Sequence, residues 1–105
     1  MSRTLALVAA LTLAAAPAFA QGTERFRIWN RSCMTLTTVT TSAVANPYWG
    51  NNLLAERNLR NGQYLDVTVP NVSLCAYDIL FEFADGQALT DVIDVCNLET
   101  YTVQP

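Results

Sequence analysis

The chain opens on a hydrophobic block and then changes to short alternating segments. Residues 5–16 are apolar apart from one threonine, follow Arg3, and give way to Pro17-Ala18-Phe19-Ala20 and the polar Gln21-Gly22-Thr23-Glu24. A cationic start, an apolar run too short and too broken to span a bilayer, and small residues at its end are the parts of a secretory signal peptide, with cleavage expected after Ala20. From residue 24 onward the period is two. Residues 24–32 place Phe26, Ile28 and Asn30 on one face and Arg25, Arg27, Trp29 and Arg31 on the other, a strand with a basic outer side. Residues 34–42 are Thr-rich around Leu36 and Val39 and suit a pleated surface. Residues 63–69 set Leu65, Val67 and Val69 against Tyr64, Asp66 and Thr68, and Pro70-Asn71 is expected to end that strand. Residues 74–83 align Cys75, Tyr77, Ile79, Phe81 and Phe83; Asp85-Gly86 reads as a tight turn; residues 87–96 return with Leu89, Val92, Ile93 and Val95. Residues 99–103 give a last short strand. The stretch 43–62 reads as a loop, with one helical turn near 52–56 and a turn at Asn61-Gly62. Six or seven short strands without helical periodicity predict an all-β fold, a small antiparallel β-sandwich or partly open barrel, in a single domain over residues 21–105.

The hairpin carries a disulfide expectation. A two-residue loop at Asp85-Gly86 would pair Ala84 with Gln87 and bring Cys75 opposite Cys96, roughly 4.5 Å apart at Cα in a non-hydrogen-bonded pair. A three-residue loop with a bulge would shift the register by one and spoil that direct opposition, and the adjacent Val92-Ile93 makes a bulge plausible. An exported chain meets an oxidising compartment, so a Cys75–Cys96 bridge is expected over free thiols. Cys33 is left odd, and burial as a small hydrophobe is the expectation for it.

Composition narrows the chemistry. The chain has 105 residues, 6 Lys+Arg, 9 Asp+Glu, 3 Cys and no histidine. Loss of Arg3 with the leader leaves five basic against nine acidic side chains, a formal −4 on about 85 residues, the wrong sign for a nucleic-acid binder. Without histidine, Ser-His-Asp and Cys-His catalysis and imidazole metal ligation are excluded; without lysine after the leader, so are Schiff-base and phosphate-loop chemistry. The carboxylates lie apart from the arginines along the chain. This gives either a polarised surface or ion pairs across the sheets, and pairing is the expectation. Asp91 and Asp94 have the wrong spacing for a calcium loop, and a paired-carboxylate glycosidase lacks room for a deep cleft. No catalytic residue, metal or cofactor is expected.

Candidate contact residues are the aromatic and amide side chains of the loop, Tyr48, Trp49, Asn51 and Asn52, with Trp29 on the arginine side of the first strand. Such rings offer flat surfaces to a sugar or a peptide, or else plug the edge of a core. The expected function is that of a periplasmic or secreted, non-catalytic binding module with a protein or glycan partner in the cell envelope and no membrane insertion once the leader is removed. A small envelope hydrolase inhibitor and a calcium-responsive module are the alternatives.

The string Phe26-x-Ile28-x-Asn30-x-Ser32, with Trp49-Gly50-x-Asn52-Leu53-Leu54, Cys75-x-Tyr77-Asp78-Ile79, Asp85-Gly86 and the closing Cys96, resembles a group of uncharacterised small exported proteobacterial proteins. The resemblance spans nearly all of the mature chain and implies one exported β-rich domain. It supports the Cys75–Cys96 bridge, does not extend to Cys33, and carries no activity.

Overall fold

Each alternating segment becomes a strand in the computed structural model, which describes residues 22–105; the leader and its cleavage site lie outside the described residues. The strands are β1 (Gly22–Asn30), β2 (Leu36–Ala43), β3 (Tyr64–Val72), β4 (Ala76–Phe83), β5 (Ala88–Asp94) and β6 (Thr100–Val103). They form two three-stranded sheets, ordered β3-β1-β6 and β2-β4-β5. The fold is the all-β sandwich that the periodicity predicts, and no helix of the described residues is long and apolar enough to cross a membrane. Inward positions meet between the sheets: Phe26 and Ile28 of β1 and Leu65, Val67 and Val69 of β3 join Leu36, Val39, Ile79 and Phe81 of β2 and β4 in one buried cluster. All pairings are antiparallel except β1 with β6, which is parallel. The exception arises because β6 crosses from β5 in the opposite sheet instead of folding back from a neighbour.

Three local expectations are corrected. Pro70-Asn71 does not end β3. The register jumps from Glu24↔Val69 to Gly22↔Val72, so these two residues form a bulge, with Asn71 at φ 57°. A proline is tolerated there because β3 is an edge strand and a bulge suspends the ladder. The β4–β5 connection has three residues, not two: Phe83 N–H donates to the Gln87 carbonyl at 2.9 Å, and Gly86 at φ 93° supplies the left-handed step. The ladder therefore opposes Tyr77 to Ile93 and Glu82 to Ala88, one residue off the direct opposition of the cysteines.

The bridge forms nonetheless, with Cys75 and Cys96 Cα atoms 5.4 Å apart. Val95 N–H bonds the Cys75 carbonyl at 3.0 Å, and the chain then reverses at Asp94. The Asp94 carboxylate accepts from Cys96 N–H at 3.0 Å and from Asn97 Nδ2 at 2.9 Å. A side-chain-capped turn thus supplies the reach that the shifted ladder withholds. Cys33, expected inside, is exposed at φ 68°. The reason is Asn30, fully buried, whose amide collects the Met34 and Leu59 carbonyls and the backbone and hydroxyl donors of Ser32. That knot draws Ser32 inward and turns its neighbour out.

Candidate functional site

Position 43–62 holds most of the residues singled out from the sequence, and its first task is structural. β2 has β4 on one side only, and an open edge invites pairing with another chain. The loop closes it. Gly50 N–H donates to the Thr41 carbonyl at 3.1 Å, Leu53 N–H to Val39 at 2.7 Å, and Leu36 and Leu59 exchange two bonds of 2.9 Å. A Cβ at Gly50 would stand 3.0 Å from the Thr41 carbonyl oxygen, so this close approach favours glycine. Asn52 completes the seal: its Oδ1 accepts from Val39 and Leu54 N–H, and its Nδ2 donates to the Thr37 and Ala55 carbonyls. The Asn52 amide is thereby committed within the fold, while Leu54 and Leu59 anchor the loop in the core. Asn51 is exposed. Tyr48 and Trp49 project outward, 77% and 44% exposed. With Asp78, Thr90, Asp91 and Val92, Trp49 lines a groove of about 410 Å³ on the outer side of β2-β4-β5.

Trp29 lies elsewhere, on the outer side of β3-β1-β6. The β1–β3 register sets Trp29 opposite Tyr64 and Arg27 opposite Asp66. The two rings stack with centroids 5.2 Å apart. The Arg27 guanidinium sits 3.8 Å from the Tyr64 centroid and that of Arg31 4.8 Å from the Trp29 centroid. The result is a continuous ladder, Arg27–Tyr64–Trp29–Arg31, fixed by cation–π contact and stacking. Asp66 holds the near end by a two-point ion pair, 2.8 and 3.3 Å. That hydrogen bonding keeps the Asp66 carboxyl below the usual carboxylate range and raises the Arg27 guanidinium. Trp29 Nε1 is enclosed without a partner, so stacking, not hydrogen bonding, positions the indole. A shallow depression of about 470 Å³ continues the ladder past Arg25, Thr68 and Thr100.

The sequence candidates therefore fall on two opposite outer surfaces. Tyr64 and Asp66 belong to the ladder and were not among them; the outward side of residues 63–69 was legible, but its pairing with β1 depends on contacts nearly forty residues apart, as in the Arg27–Asp66 separation of 39. The expectation of ion pairs across the sheets holds at one position. Among the described residues Arg27–Asp66 is the one salt bridge. The arginines of β1 share their sheet with Glu24 and Asp66, whereas Asp78, Glu82, Asp91 and Asp94 occupy the other, so the core keeps these last four carboxylates away from the arginines of β1.

Comparison with protein-family models, curated proteins and solved structures returns no match. The disulfide is compatible with a compartment outside the cytoplasm.

Proposed function

We propose that this protein is an exported, non-catalytic binding module of the cell envelope whose contact surface is the outer side of β3-β1-β6 and whose partner presents acidic groups. The observation that carries the reading is the Arg27–Tyr64–Trp29–Arg31 ladder. Its ring faces are already covered by each other and by guanidiniums, which leaves no free platform for stacking a sugar. With the Arg27 donors taken up by Asp66, what it offers outward is the planar, oriented N–H donors of Arg31, the geometry that suits carboxylate or phosphate. Neither Arg31 nor Arg25 has a salt-bridge partner among the described residues, and Arg25 extends that supply. The chain's lack of histidine supports a non-catalytic role.

The test exploits the sign of the net charge. An acidic protein is repelled by a sulfonate resin at neutral pH unless one face is locally basic. The folded protein is expected to be retained at low salt, and Arg25→Ser with Arg31→Ser to flow through with unchanged thermal unfolding. Flow-through of the unaltered protein would remove the reading. Export is tested separately by mass spectrometry, with Gln21 expected at the amino terminus.

A further inference from the structure

The central strands of the two sheets carry matching patterns on their outer sides. β1 is the middle strand of β3-β1-β6, and β4 is the middle strand of β2-β4-β5. Along β1 and one residue beyond, Arg27, Trp29 and Arg31 face outward, while Ile28 and Asn30 between them are buried. Along β4, Asp78, Leu80 and Glu82 face outward, while Ile79 and Phe81 are buried. One triad is cation, aromatic, cation, with Arg27 already paired to Asp66 and Arg31 without a salt-bridge partner among the described residues; the other is anion, aliphatic, anion. Both have the period of a strand, so the outer members of each are separated by roughly 13 Å. The two triads lie on opposite surfaces of one sandwich and cannot meet within a chain.

We propose that the occupant of the basic face is a second copy of this chain, which presents its Asp78–Leu80–Glu82 triad to Arg27–Trp29–Arg31. This rests on the binding reading above and names the partner for it. Beyond charge, Trp49 and Asp78 share the 410 Å³ groove on the acidic side, with Thr90 as a further wall. A guanidinium entering there meets an indole and a carboxylate together. The acidic side of the sandwich bears no arginine on its strands, so nothing of its own chain competes for Asp78 and Glu82. The contact joins unlike surfaces, so each added copy leaves one basic and one acidic face free, and assembly proceeds as an open stack. The like net charge of the copies opposes this only at long range. At about 0.1 M salt it is screened beyond about 10 Å, whereas charges in contact are screened less.

Sedimentation velocity of the folded, oxidised protein tests the assembly. At about 0.1 M salt the weight-average mass is expected to rise with concentration to roughly twice that of one chain or more, and to return to one chain at about 1 M salt, where screening reaches about 3 Å. Arg31→Glu and Glu82→Arg are each expected to remain single chains. Mixing Arg31→Glu with Glu82→Arg, or with Asp78→Arg, is expected to restore a two-chain complex, because the unaltered acidic face of the first variant meets the unaltered basic face of the second. Growth past two chains requires the altered faces to pair as well, so the mixture that grows further gives the strand direction of the contact. A native protein that stays a single chain at every concentration overturns the proposal, as does association indifferent to these substitutions or restored by neither mixture. Retention of a monomeric native protein on sulfonate resin would then leave the basic-face reading intact with a different acidic partner; loss of retention would remove both.

Discussion

The Tyr101 hydroxyl donates to the Asp91 carboxylate at 2.7 Å, tying β6 of one sheet to β5 of the other. The same ring packs on Phe81, 5.2 Å between centroids, so one side chain spans the two sheets. Burial, reinforced by the bond to Asp91, pushes the Tyr101 hydroxyl up to about 12. A group whose value rises on folding contributes stability that is present below its unfolded value, near 10 for tyrosine, and that is lost as pH climbs toward the folded value. Stability should therefore decline between about pH 10 and 12, and Tyr101→Phe should remove that part of the decline. An ultraviolet titration in which all four tyrosines ionise together near their ordinary value would contradict the prediction.

Acid should loosen the turn that carries the bridge. Hydrogen bonding from Asn97 above all, with the backbone donors of Cys96 and Asn97, holds the Asp94 carboxyl below its usual range against a smaller effect of burial. A depressed value gives stability that is present above the unfolded carboxyl value and vanishes as pH falls through the folded one. Thermal unfolding between about pH 2 and 5 should show a destabilisation on acidification that shrinks in Asp94→Ala. Identical pH profiles for the two proteins would be the contrary result.

The Cys75–Cys96 bridge closes a loop with a sequence separation of 21. In the chain-entropy picture such a loop contributes on the order of 3 kcal/mol. At roughly 4–8 °C per kcal/mol for a domain this small, reduction should lower the melting temperature by more than ten degrees. Calorimetry with and without a dithiol reductant decides it, and an unchanged midpoint would mean that the bridge merely decorates the hairpin end.

One buried amide and two buried leucines should matter more than the exposed Trp49. Asn30→Ala removes one of the two donors of the Met34 and Leu59 carbonyls and strips the Ser32 N–H of its acceptor, at a cost of about 2–4 kcal/mol. Leu54→Ala or Leu59→Ala, in positions about 1% exposed, should cost about 2–5 kcal/mol. Trp49→Ala, with nearly half of its ring in water, should cost under about 1 kcal/mol. Denaturant titration of the four variants gives the order; a Trp49→Ala protein that fails to fold would make that ring a plug and not a contact.

The chain by itself determined what local periodicity and composition can determine. Alternation assigned the inner sides of β1, β3 and β4 residue by residue, including the buried Asn30, because a strand's period is two wherever one side faces a core. A two-residue turn at Asp85-Gly86, with an oxidising compartment expected from the leader, pointed to the Cys75–Cys96 pair, and the pair forms although that turn does not. Tertiary structure decided how that pair is reached: a three-residue turn shifted the ladder, and the Asp94 cap restored the approach. It also decided that Pro70-Asn71 bulges an edge strand instead of ending it, and that Ser32, not Cys33, turns inward. The loop 43–62 carried no repeating pattern, since its work is to satisfy the edge of β2 through single amide and backbone bonds. The arginine–aromatic ladder was half legible for the same reason. Trp29 and the arginines share one strand, but Tyr64 and Asp66 join them only because β3 pairs with β1, and that choice is made by burying two apolar faces against a second sheet, which no single segment encodes.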